Sequence, residues 1–253
     1  MFSLVLVAIF AAMLPALPVV RAQTTVVPSN SFSSTRTFEQ YWNYLYPWGE
    51  DHNGSGRMTQ ANIAVGSGTL TLRATPTSNA NPPTSSADPH PAIHYASGAI
   101  HAKEQITVTQ SESWTIEGEF SAPTDRGTWP AFWLTSAIGW PPEVDIGEWK
   151  GTAENWFNTF NTSSVVRIDR VPWPSDLSFQ SLKAVLTAQN DADVRIEFYM
   201  NNELRATQYG AGFVDVPMWL IINLQMEGSS GTPGPSEGAT YQARNVQVTR
   251  SGN

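Results

Sequence analysis

The chain has no cysteine, which excludes disulfides, thiolate metal sites and cysteine nucleophiles, so whatever core it forms must hold without covalent staples. Basic residues are scarce. Fourteen Lys plus Arg stand against twenty-two Asp plus Glu, a formal net charge of −8. A phosphate-binding surface needs the opposite sign, so nucleic acid is excluded as a partner. No stretch keeps a long helical period, no internal repeat is present, and no histidine follows His101. Strong metalloprotease, P-loop, serine-hydrolase-elbow and dinucleotide motifs are also missing.

What is abundant is aromatic surface: ten Trp, eleven Phe and seven Tyr in 253 residues. Many short alternating runs punctuated by Pro and Gly imply an all-β, two-sheet β-sandwich, and the length suits a single such domain. Residues 68–73 alternate Leu70 and Leu72 against threonines, and Val194, Ile196, Phe198 and Met200 form a second stripe, with Asn201-Asn202 as a hairpin turn after it. Residues 113–121 alternate Trp114, Ile116 and Phe120 against Thr115, Glu117 and Glu119, and read as the partner strand of residues 129–134. Residues 38–48, FEQYWNYLYPW, read as a capping segment packed on the sandwich. Residues 74–92, rich in Pro and Ser, read as a long surface loop, either disordered or a wall of a cleft.

At the N-terminus, residues 4–20 form an apolar run that ends at Val20-Arg-Ala22, a pattern expected of a secretory signal cut before Gln23. The run is shorter than the roughly 20 residues a membrane span needs and is interrupted by Pro15 and Pro18. Residues 23–253 are then the mature domain, expected to be extracellular, monomeric and free of the membrane. Sequons at Asn53 and Asn161 agree with that route.

The most informative stretch is WPAFWLTSAIGWPPEVDIGEW, residues 129–149. On a strand, Glu143 and Asp145 share one face while Val144 and Ile146 take the other. Glu148 is out of phase by one residue. A β-bulge at Ile146-Gly147 would restore it to the side of the other two acids, and glycine tolerates the backbone angles of a bulge. Three carboxylates on one face are costly for folding, since like charges repel and raise one another's pKa. Glycoside hydrolysis with retention can use that cost. It requires a carboxylate nucleophile and a protonated carboxyl across the scissile bond, about 5–5.5 Å apart.

These residues resemble glycoside hydrolase family 16, whose signature is Glu-x-Asp-x-x-Glu or the unbulged Glu-x-Asp-x-Glu. GTWPAFWL at 127–134, ASGAI at 96–100, GTLTL at 68–72, WLIINL at 219–224 and the closing 241–248 are similar to further family segments, so the resemblance spans nearly the whole mature chain. It implies a concanavalin A-like jelly roll with a concave substrate cleft, and a secreted endo-β-glycanase acting on a polysaccharide. Glu143 would be the nucleophile, Glu148 the acid and then base, and Asp145 a support between them. Trp133 and Trp140 correspond to positions where rings line sugar subsites, although core packing remains an equal reading for Trp133; Trp129 reads as core. Trp48 and Arg57 lie in a stretch that approaches the cleft in the family. No cofactor or metal is implied, because the acid that binds structural calcium in many relatives aligns with Arg244.

One departure concerns the sugar site. Many family members have a His-Thr pair after the acids, whereas this chain has Asn155-Trp-Phe-Asn-Thr-Phe-Asn161. Either Asn158 or Asn161 would take that place, and their odd spacing allows only one to face the cleft. The expected polymer is a β-1,3 or mixed β-1,3/1,4-glucan, with β-galactan as the alternative. A transglycosylase would use the same glutamates, a lectin would not need both, and a lyase would work with a pair such as His94-Tyr95.

Overall fold

The computed structural model describes residues 23–252, so the expected signal segment lies outside the described residues. Among the described residues the strands form two β-sheets. The first has the strand order Val166–Pro172, Glu154–Phe160, Glu143–Glu148, Thr128–Ser136, Met218–Met226, Ala99–Ala102, Trp42–Tyr44, antiparallel throughout. The second runs Glu203–Gly210, Val194–Met200, Gln180–Ala188, Glu112–Ser121, Ala239–Gly252, Thr69–Pro76, Tyr95–Ser97, Gly56–Met58, with Gln23–Val27 and Ile63–Gly66 attached at its sides. In the first sheet the four strands from Thr128–Ser136 to Val166–Pro172 follow one another as a meander, whereas Met218–Met226 returns from far along the chain to lie between Thr128–Ser136 and Ala99–Ala102, a crossing connection of the jelly-roll kind.

Strand alternation decides which way each side chain goes. Phe132, Leu134, Val144, Ile146, Leu220 and Ile222 of the first sheet meet Leu70, Leu72, Ile116, Phe120, Leu182 and Ile196 of the second in one continuous core. Phe120 lies 4.6 Å from Phe132. This contact corrects the expected pairing: the strand Glu112–Ser121 bonds to Gln180–Ala188 and Ala239–Gly252, and it packs across the core from Thr128–Ser136 instead of beside it. Alternation alone cannot separate a hydrogen-bonded neighbour from a face-to-face one.

The aromatic segment begins with one short helix, Thr35–Tyr41, whose N-cap Ser34 accepts a hydrogen bond from the Thr37 N–H at 3.2 Å and which buries Phe38. At the Asn201-Asn202 hairpin both residues have positive φ, 53° and 63°, as a two-residue turn of matching twist demands. Among the described residues no helix is long and apolar enough to cross a membrane.

Candidate active site

The strand Glu143–Glu148 lies between Thr128–Ser136 and Glu154–Phe160. Asp145 stands opposite Trp133, but Gly147, two residues on, stands opposite Phe132, so Ile146 is the extra residue of a bulge. The glycine there serves space more than conformation. Its φ is not in the left-handed region, yet an added Cβ would stand 2.7 Å from Cη2 of Trp149 and 2.8 Å from Cδ1 of Leu182. Ile146 and the bare face of Gly147 therefore both point into the core, and Glu148 comes back to the side of Glu143 and Asp145. All three acids line an open cleft of about 600 Å³.

Each acid has a different set of donors. Glu148 accepts from Trp129 Nε1 at 2.8 Å on one oxygen, and on the other from Asn158 Nδ2 at 2.6 Å and the Lys150 ammonium at 3.1 Å. Its main-chain N–H is held by Asn155 Oδ1 at 2.9 Å. Asp145 shares the Asn158 amide, at 2.7 Å. Glu143 accepts one bond, from Trp140 Nε1 at 2.9 Å. Burial, and then the charge of Glu148, pushes Glu143 up to about 8. Burial first, then Glu143 and Glu148, raises Asp145 well above the ordinary carboxylate range. Three carboxylates face one ammonium, so Glu143 and Asp145 hold their protons more tightly than isolated acids do.

The cleft also receives Trp48, Trp133 and Trp140. Trp48 and Trp140 are about half exposed, at 47% and 53%, while Trp133 is almost covered and donates to Asn223 Oδ1 at 2.7 Å. Trp129 is buried, at 8% exposed, as its reading as core expects, and it also contributes to the cleft lining, because residues 129, 131, 133 and 135 share one face of their strand. Lys150, His52, Asn223 and Gln225 are cleft residues that sequence reasoning missed; the last two alternate with core residues along Met218–Met226 in the same way.

Arg57 does not reach the cleft. Its guanidinium is bidentate on Asp51, at 2.7 and 2.8 Å, with a third bond to the Thr84 carbonyl, so its part is to brace the loop that carries Trp48 and His52. Asn161 is likewise outside: its side chain bonds Tyr209 O and accepts from the Ala211 N–H, pinning the turn after Glu154–Phe160. Asn158 is buried, 1% exposed, and bridges two of the acids, so it is not a residue of the cleft lining. Within the 74–92 loop, Ser85 bonds the His52 carbonyl, and Ser86 bonds Asp51 through both its N–H and its hydroxyl, so this loop buttresses the cleft wall. His94 pairs with Glu227 at 2.7 Å and Tyr95 bonds Pro235 O, which places that pair off the cleft. Arg244 pairs with Glu119 at 2.7 Å and stacks on Phe179. Among the described residues no group of three or more His, Asp or Glu is placed to hold a metal ion.

A jelly-roll sandwich whose cleft carries a bulged strand of three acids among tryptophans is the architecture of a β-glycan hydrolase. The chain belongs to glycoside hydrolase family 16. It is 71% identical over 230 residues to a galactan endo-β-1,3-galactanase of Flammulina velutipes, covering 90% of this chain and 91% of that one. An endo-1,3-1,4-β-glycanase, ExsH, of Rhizobium meliloti (strain 1021) is 29% identical over 68% of this chain and 35% of its own length. In fold the chain is similar to an endo-1,3-β-glucanase from Streptomyces sioyaensis, with TM-score 0.66 and 19% identity over 94% of this chain and 99% of the other. It is also similar to an endo-β-1,3-glucanase from Pyrococcus furiosus, with TM-score 0.68 and 17% identity over 88% and 93%. No family model matches the chain.

Proposed function

We propose that this hydrolase of β-glycans is a secreted endo-β-1,3-galactanase, acting as a monomer through one catalytic domain, residues 23–253. Glu143 is its nucleophile, Glu148 its acid and base, and Asp145 the support between them. The polymer reading rests on the Flammulina velutipes relative, which moves β-galactan ahead of the glucan that the sequence put first. The residue roles rest on one observation, the bulge that sets Glu148 beside Glu143 and Asp145 in the cleft.

In the first displacement an ionised Glu143 attacks the anomeric carbon while Glu148 gives its proton to the departing glycosidic oxygen. In the second, Glu148 takes a proton from water as that water breaks the glycosyl ester, and Glu143 leaves as carboxylate. Burial and the charge of Glu148 raise Glu143, so ionising it for attack costs free energy. A bound sugar lowers that cost, because positive charge developing at the anomeric carbon favours ionised Glu143 and the glycosidic oxygen offers Glu148 an acceptor for its proton. Asn158 ties Asp145 to Glu148 throughout.

The test is oligosaccharide release by the mature chain from β-1,3-galactan, laminarin, mixed-linkage glucan and xyloglucan. Galactan is expected to be cleaved fastest, with the β-anomer appearing first by NMR; preference for laminarin would overturn the polymer, and initial α-anomer the mechanism. Glu143→Gln is expected to lose turnover with its circular dichroism unchanged.

A further inference from the structure

Of the four histidines, three have protein partners. His90 Nδ1 meets Ser85 O at 3.1 Å, His94 Nδ1 meets Glu227 at 2.7 Å, and His101 meets Leu45 O at 2.8 Å and Asn43 Nδ2 at 3.1 Å. His52 is different. Its ring lines the cleft, and among the described residues neither nitrogen has a hydrogen-bond partner or is sealed away from solvent. We propose that His52 is a specificity-determining residue whose imidazole hydrogen-bonds a hydroxyl of the glycan chain lying in the cleft. The inference rests on the cleft being the galactan site and names a contact of that site.

The ring is held in place for such a contact. It stacks on Trp133, 5.8 Å between centroids and 24° between planes, and packs against Trp48 and Tyr46, each at 5.3 Å. Its carbonyl accepts from Ser85 Oγ at 3.3 Å. The preceding residue, Asp51, is tied to Arg57 and Ser86 through its carboxylate and to Trp48 through its carbonyl. A ligand group on so many anchors loses little freedom when sugar binds. Trp133 is also the cross-strand neighbour of Asp145, so the imidazole stands one ring away from the acids.

The chemistry suits a sugar. Burial among the aromatic rings pushes the imidazole down to about 4, so at working pH it is neutral, with one N–H donor and one bare nitrogen acceptor. A sugar hydroxyl also donates and accepts, and can satisfy either nitrogen. Both nitrogens are open to solvent, so a bound hydroxyl exchanges for water there, and it is loss of the nitrogens once sugar covers them that leaves the hydroxyl unpaired.

The test pairs His52→Phe, which keeps the stacked ring and removes both nitrogens, with His52→Gln, which keeps a donor and an acceptor. On β-1,3-galactan His52→Phe is expected to lose about tenfold in kcat/KM, the size of one hydrogen bond whose partner is left unpaired, mostly through KM and with Tm unchanged. His52→Gln should recover part of the loss. The ratio of wild-type to variant activity should stay constant between about pH 5 and pH 8, because the ring does not titrate there. A kcat/KM for His52→Phe within twofold of wild type, or a His52→Gln variant no better than His52→Phe, would overturn the contact. If the wild-type chain cleaves laminarin and not galactan, the polymer reading fails alone, and the same comparison on laminarin decides His52.

Discussion

Gly147→Ala adds one methyl group at the position where the core sets the geometry of the acids. The methyl would stand 2.7 Å from Cη2 of Trp149 and 2.8 Å from Cδ1 of Leu182, inside any real carbon–carbon contact. Neither neighbour has room to retreat. Trp149 is fully buried, edge-on to Trp173 at 4.7 Å and 5.7 Å from Tyr241, and Leu182 is sealed in the same core. Overpacking of this kind costs about 1–3 kcal/mol, which for a domain of this size lowers Tm by roughly 2–12 °C. The backbone is the part that must move, and it carries Glu148 with it; a displacement of about 1 Å at a reacting group costs on the order of 100-fold in rate. Differential scanning calorimetry and kcat on the preferred polymer read both effects. Gly147→Ala with wild-type Tm and kcat would refute the steric account, and a lowered Tm with unchanged kcat would refute the link from core to site. Deleting Gly147 yields the unbulged Glu-x-Asp-x-Glu spacing and keeps the second glutamate on the cleft face, so it is expected to retain more activity than Gly147→Val.

Lys150→Met removes the cation that holds Glu143 and Asp145 down against burial, so the acid limb of the pH profile of kcat/KM is expected to move to higher pH; a fixed limb would show that Lys150 does not act on the cluster. Glu143 has a folded pKa of about 8 against an ordinary 4.5, so the stability its neutral form contributes is complete below the lower value and lost as pH rises through the higher one. Glu143→Gln should accordingly melt above wild type at alkaline pH, with the gap closing towards the lower value, and equal Tm values throughout would exclude the burial cost. Asp51 is depressed from 3.8 to about 2, chiefly by its hydrogen bond to Arg57. Its contribution is present above the first value and lost as pH falls through the second; Arg57→Met should lose it at neutral pH and raise KM more than it lowers kcat, by loosening the wall that carries Trp48.

Much of this was readable because strand parity is a strong constraint. The step of the bulge, the shared face of Glu143 and Asp145, and the stripes at Leu70-Leu72 and Val194–Met200 all follow from a period of two. The same rule applied to residues 129–135 places Trp129 with Trp133 on the cleft face, where both rings are buried and still contribute to the lining. Other features had no local signal. That Gly147 is needed for room depends on Leu182, thirty-odd positions away, and on where the Trp149 ring falls. Arg57 sits in the right loop for a sugar contact, and only the position of Asp51 shows that its charge is already used.

Asn158 shows why a residue in a sugar-binding position need not bind sugar. In sequence the missing histidine looks like an exchange of one polar cleft group for another. In the structure the amide lies below the cleft surface and spends one nitrogen on two carboxylates, Asp145 at 2.7 Å and Glu148 at 2.6 Å. An imidazole has one hydrogen per nitrogen, on divergent sides of the ring, and could not serve both acids from one atom. The orientation of the amide is fixed by the same fact, since the reverse would set its oxygen against two carboxylates. The consequence is a buried Oδ1 with no partner, a defect of about 1–3 kcal/mol. Without a shared donor the two buried acids would be both crowded and unsatisfied, so a single amide bridges them, and it leaves the contact with sugar to side chains on the cleft wall.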